Sequence, residues 1–260
     1  MFRKSGKPAK KSPLKQPPLP QAGDSTFQRL QDALLDRAFF WLACSAIFVS
    51  IAFMQWVAWL RQEPMHPGFM TAVAVVGVVL AVVKIRSALK RAKRFGLGGR
   101  GEMVVGQLLE TLRAKGYRVY HDIPGNGYNI DHVIIGPGGV LVIETKTVSK
   151  RTSGDPTISY DGRRVLIDGF TPDRDPIQQV CANRDRIAEI LERATGRRPK
   201  MRPVVLYPGW WVEKLPKGAE VWVLNPPAFV KFLDHEPAVL KPEEVGIFAS
   251  ALEAYSRSPH

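Results

Sequence analysis

Asp131, His132, Glu144 and Lys146 are titratable side chains set inside an otherwise apolar stretch, Asn129 to Thr147 (NIDHVIIGPGGVLVIETKT). Gly136-Pro137-Gly138-Gly139 divides it as a β-turn, with Pro and Gly in the positions that a type II turn prefers. Symmetric pairing about that turn sets Gly136 opposite Gly139 and, carried outward, Asp131 opposite Glu144. Cross-strand partners have Cβ atoms roughly 4.5–5.5 Å apart. Carboxylates that close repel unless a cation lies between them. Glu144 and Lys146 are two residues apart and so share a face of their strand. Two carboxylates and an ammonium therefore meet at one point. A hard divalent cation such as Mg²⁺ takes a few carboxylate oxygens and keeps several waters. It can activate a water and offset charge on a phosphate. The competing reading of Glu144 and Lys146 is a surface ion pair, worth little. The apolar surroundings speak against it, because unpaired charge is costly there.

Flanking elements must hold this point. Gly101 to Lys115 predicts an amphipathic helix, with Val105, Leu108, Leu109 and Leu112 on one face and Glu102 at its edge. Tyr117–Ile123 predicts a strand, followed by hairpin strands near 129–135 and 140–147, apolar enough to be covered on both faces. Ser149–Asp155 is a polar turn, and Asp161-Gly162 joins a small hairpin of 157–160 and 163–167. Asp175-Pro176 reads as the N-cap and first residue of a helix, with Gln179 beside its buried face. Strands over 203–208 and 221–224 and helices over 226–233 and 243–255 complete a mixed sheet with helices on its faces, an α/β fold. His132 alternates away from Asp131 and is expected to be a satisfied structural histidine. Trp210 and Trp211 follow a strand and are expected in the core or its rim, with base stacking the alternative. Gly98-Gly99-Arg100-Gly101 lacks the preceding strand of a nucleotide-binding fingerprint.

The net charge of +13 suggests a nucleic-acid binder until it is located. Residues 101–260 hold 21 Lys/Arg and 20 Asp/Glu, whereas 84–100 holds 7 Lys/Arg and no acid. The excess flanks two apolar runs, about 38–60 and 65–83, and fits membrane topology. Two spans place both basic flanks, and hence both termini, on the cytoplasmic side of the cell membrane. The expected organisation is a basic disordered tail over 1–37, two transmembrane helices within 38–83, a basic juxtamembrane linker over 84–96 and a domain over 97–260. The two cysteines, Cys44 and Cys181, suggest neither a disulfide framework nor a thiolate metal site.

An acid, a dozen residues, then acid-x-Lys is the pattern of PD-(D/E)XK nucleases. The chain resembles the nuclease-related domain (NERD) branch through Gly101-Glu102, Asn129-Ile130-Asp131-His132, Gly138-Gly139-Val140, Ile143-Glu144-Thr145-Lys146 and Pro176 to Gln179, over roughly residues 97–208. The resemblance implies a restriction-endonuclease-like fold behind a transmembrane hairpin. It implies Asp131 and Glu144 as ligands of Mg²⁺ or Mn²⁺, Lys146 as catalytic lysine, and Glu102 and Gln179 in support. Ile130 departs from the family's proline, and Asp175 stands where Asn is common. The implied activity is hydrolysis of nucleic-acid phosphodiester bonds, DNA foremost, with no small-molecule cofactor. The alternative is a catalytically weak, membrane-anchored nucleic-acid-binding or regulatory module.

Overall fold

The computed structural model describes residues 39–61, 67–125, 127–149 and 157–258, with positions 21, 22, 28 and 31. The expected basic tail, save those positions, lies outside the described residues, as do the connector at 62–66 and the polar turn beyond Ser149. Helices α1 (Phe40–Leu60) and α2 (Pro67–Glu110) run antiparallel. Trp56 Nε1 donates to Thr71 Oγ1 at 2.8 Å, the Phe48 ring lies against Gly77, and Lys84 sits 5.9 Å from the Trp41 ring. Phe40, Ile47, Phe53, Val76 and Val79 face outward. The spans 40–60 and 71–90 are each long and apolar enough to cross a bilayer.

Helix α2 runs through the expected span, linker and domain helix without a break. It continues for 44 residues from the apolar segment into the domain. The Lys, Arg, Ala and Leu of residues 84–95 are good helix formers, so nothing there stops it. Gly96, Gly98, Gly99 and Gly101 weaken a helix by roughly 1 kcal/mol each. Burial of Val105 and Leu109 against the sheet offsets part of that cost. A 3₁₀ turn, Thr111–Lys115, closes the helix onto Gly116, whose φ of +83° suits glycine.

Strands β1 (Arg118–Pro124), β2 (Asn129–Gly136), β3 (Gly139–Thr145), β6 (Met201–Leu206) and β8 (Trp222–Leu224) form a sheet in the order β1-β2-β3-β6-β8. The first three are antiparallel, and β3, β6 and β8 are parallel. Helix α3 (Pro176–Thr195) connects β3 to β6. Its N-cap is Asp175, whose carboxylate accepts the Ile177 N–H at 2.8 Å. Helices α4 (Pro226–Asp234) and α5 (Pro242–Arg257) follow β8. Val105, Leu109, Leu112, Phe229 and Leu233 pack on one face of the sheet, and Ile187, Leu191, Val245, Phe248 and Leu252 on the other. The expected double covering of β2 and β3 is present.

The hairpin register is the symmetric one, Gly136↔Gly139 through His132↔Ile143. The turn is not type II. The positive φ falls on Gly139 (+109°) rather than on Gly138, the position where type II demands it. A side chain at 139 would also meet the Lys200 carbonyl, 2.7 Å from an added Cβ. A second sheet, β5-β4-β7, is built from β4 (Thr157–Tyr160), β5 (Val165–Ile167) and β7 (Trp211–Val212), and packs beside the start of α3. Strand β7 is an element that the periodicity missed.

Candidate active site

The C-terminal end of β3, the N-terminal end of β2 and the first turn of α3 converge. Glu144 is 3% exposed and accepts from three side chains. Lys146 Nζ donates to its Oε1 at 2.8 Å, Gln179 Nε2 to the same oxygen at 2.7 Å, and Asn183 Nδ2 to Oε2 at 3.1 Å. Lys146 also donates to Gln179 Oε1 at 2.7 Å. Lysine, glutamine and glutamate thus close a triangle. Gln179 and Asn183 are one helical turn apart, so both reach the same strand end. Asn183 is 1% exposed and escaped the sequence reading. Its signal was spacing: a polar residue four past Gln179 on a face otherwise marked by Val180, Ile187 and Leu191.

Asp131 lies one step beyond the last ladder pair, His132↔Ile143, in line with Glu144. Its Oδ2 accepts the Thr145 N–H at 2.7 Å. On its other side the ladder with β1 pairs His121↔His132 and Ile123↔Ile130 but is interrupted between them, where Asp122 has φ +50°. That conformation is uncommon for a residue other than glycine. Burial, then the negative charges of Glu144 and Glu102, push the Asp131 carboxyl well above the usual carboxylate range. Burial also raises Glu144, opposed by Lys146 and by the amides of Asn183 and Gln179.

Glu102 joins this electrostatic group from α2. What brings it there is Gly101. A Cβ at 101 would lie 1.8 Å from Thr147 Oγ1 and 3.0 Å from Thr147 Cβ, so the helix approaches the end of β3 only with glycine there. Asp131 and Glu144 form a two-carboxylate set. Among the described residues no group of three or more His, Cys, Asp and Glu is placed to hold one ion.

His132 is completely buried on the opposite face. Its Nδ1 is 2.8 Å from His121 Nδ1, and His121 Nε2 is 3.0 Å from Glu110 Oε1. Burial lowers both imidazoles, strongly so for His132, which favours their neutral forms. With Glu110 accepting from His121 Nε2, His132 Nδ1 is the donor of the pair. The expectation of a satisfied histidine holds at Nδ1 only, since His132 Nε2 has no hydrogen-bond partner. The two tryptophans divide. Trp210 is 3% exposed and donates to the Val148 carbonyl at 3.1 Å, whereas Trp211 is 68% exposed.

Asn183→Leu is expected to leave Glu144 Oε2 without a donor; if Asp131 and Glu144 hold a divalent ion, its affinity should fall by about 10- to 100-fold, the usual cost of losing an orienting partner. Calorimetric titration with Mn²⁺ measures this, and an unchanged affinity would remove Asn183 from the site.

No curated protein and no solved structure matches the chain. Residues 97–208 match the family model described as nuclease-related domain, NERD. The mixed sheet with helices on both faces is the nuclease-like fold that goes with that match. Behind two apolar helices, the chain therefore carries a domain of the nuclease-related family.

Proposed function

We propose that the protein is a membrane-anchored, divalent-metal-dependent nuclease that hydrolyses nucleic-acid phosphodiester bonds on the cytosolic side. The observation that carries this reading is the meeting of Asp131 and Glu144 at one sheet end with Lys146 held against Glu144. The donor set fits a hard cation. Its oxygens come from carboxylates, and the repulsion that raises Asp131 is what a cation between the two would relieve. Asp131 and Glu144 would hold Mg²⁺ or Mn²⁺. Such an ion supplies a water of lowered pKa and positive charge for the phosphate.

The protein's own groups do the rest. Gln179 and Asn183 fix the Glu144 carboxylate, so its oxygens need not reorganise. The Lys146 ammonium, oriented by Gln179, offsets negative charge growing on a phosphoryl oxygen. Glu102 adds negative potential beside Asp131 and so favours a cation there. The basic flanks of the two apolar helices support cytosolic termini. A reporter fused after His260 that reads out on the far side of the membrane would refute that orientation.

A second reading, a binding or regulatory module with little turnover, draws on the balance of 21 basic and 20 acidic residues over 101–260, which favours no strong phosphate groove. The deciding experiment uses the full-length protein in detergent micelles with labelled single- and double-stranded DNA and RNA. Cleavage that needs Mg²⁺ or Mn²⁺ and stops with EDTA is expected. Binding without cleavage would select the second reading, and neither binding nor cleavage would end both.

A further inference from the structure

Trp211 stands apart from the rest of the domain's aromatic residues. It lies within a strand, yet it is 68% exposed. Its neighbour Val212 pairs with Ile158, which pairs with Ile167, and these three face the core of the small sheet. Alternation sends Trp211 to the other face. There it is in register with Thr157, and Ser159 follows Thr157 on the same side. Both are short hydroxyl residues that leave an indole face uncovered.

The segment that bears Trp211 is linked to the candidate site. The Lys146 N–H donates to the Leu206 carbonyl at 2.8 Å, and Trp211 comes five residues after Leu206. Trp210, between them, holds the Val148 carbonyl, two residues past Lys146. The segment just past β3 that bears Lys146 is thus tied by two hydrogen bonds to the segment that leads into Trp211.

We propose that the outward face of the β5-β4-β7 sheet is a platform on which Trp211 stacks an unpaired base of the nucleic-acid strand led to Asp131, Glu144 and Lys146. This rests on the nuclease reading above and adds to it a substrate class, single-stranded nucleic acid or a frayed end. A protein or a lipid surface calls for a contiguous apolar patch. Trp211 is instead one large ring beside the hydroxyls of Thr157 and Ser159, with the half-buried Leu166 opposite Ser159. A lone ring face with hydroxyls beside it suits an unpaired base, and stacking tolerates any sequence.

The test uses the full-length protein in detergent micelles with the Asp131→Asn substitution, so that a strand is bound rather than cut. Fluorescence anisotropy follows a short labelled single-stranded DNA. Trp211→Ala is expected to weaken binding by about 5- to 100-fold, the range of one base–aromatic stack. The loss should persist at high salt, because stacking does not depend on counterion release. Trp211→Phe should recover most of the affinity. Phe170 is the control: it is 60% exposed but bridges Ile167, which faces the core, and Phe170→Ala should bind as tightly as its parent. Equal binding by Trp211→Ala and its parent overturns the platform alone. A parent that binds duplexes but no single strand overturns the platform alone, and one that binds no nucleic acid overturns the nuclease reading with it. Loss of binding to anionic lipid vesicles, with oligonucleotide binding intact, would make Trp211 a membrane contact and overturn the proposal.

Discussion

Replacing Lys146 by Ala is expected to lower metal-dependent cleavage by about 10²–10³-fold, the usual cost of removing one preorganised charge-stabilising donor. The substitution acts in two ways. It removes the only cation that contacts Glu144 among the described residues. It also frees Gln179 Oε1 of its ammonium partner. Breaking a buried ion pair can itself cost about 3–5 kcal/mol. Here Lys146 is 25% exposed and two amides still reach Glu144, so the loss should fall well below that. Without the ammonium the Glu144 carboxyl moves further up, because the largest influence opposing its burial is gone. Lys146→Gln separates fold from chemistry. It keeps a donor for Glu144 and should melt close to the wild-type protein, yet cleave as poorly as the alanine variant. Michaelis kinetics beside thermal unfolding measure both. Cleavage within a few-fold of wild type in both variants would remove Lys146 from the chemistry.

The hairpin was legible because it depends on local rules. A symmetric turn fixes register, register fixes faces, and His132↔Ile143 is where that rule puts it. The start of α3 was legible for the same reason, since Asp-Pro carries its own capping chemistry. What escaped depends on distant partners. The positive φ of Gly139 goes with the close approach of the Lys200 carbonyl, a contact that 60 intervening residues conceal. Strand β7 is two residues long and exists because β4 offers it an edge. Asn183 is a helix residue until Glu144 is placed under it. The continuity of α2 escaped because residues 84–96 read as a linker, while packing of Val105 and Leu109 further along holds one helix through the glycines of 96–101. Sequence thus pointed to the carboxylates, the lysine and Gln179. Asn183, which holds the other oxygen of Glu144, needed the fold.

The metal-free protein is expected to lose stability as pH rises above the ordinary carboxylate range, and a divalent cation should restore it. Asp131 and Glu144 both have folded pKa values above their unfolded ones of 3.8 and 4.5. Over the window between, the folded chain holds protons that the unfolded chain has released. The stability this contributes is therefore complete below the unfolded values and is lost as pH climbs through the raised ones. Glu110 works the other way. Its hydrogen bond from Arg113 lowers its pKa, so its contribution is present above 4.5 and lost on acidification. Comparison with Asp131→Asn isolates the pair. Asparagine keeps an oxygen for the Thr145 N–H but carries no charge, so with EDTA present this variant should melt above wild type, by a margin that widens with pH. Mn²⁺ should reverse the order. At a hundred times its dissociation constant a ligand stabilises by about 2.7 kcal/mol, or roughly 5–10 °C for a domain of this size. Only wild type should gain that increment, and more of it at pH 8 than at pH 5, where protons compete for the same oxygens. Melting curves across that range, with EDTA and with Mn²⁺, check both signs. If wild type with EDTA grows steadily more stable toward pH 8 and Asp131→Asn gains as much from Mn²⁺, the two carboxylates neither repel one another nor share an ion.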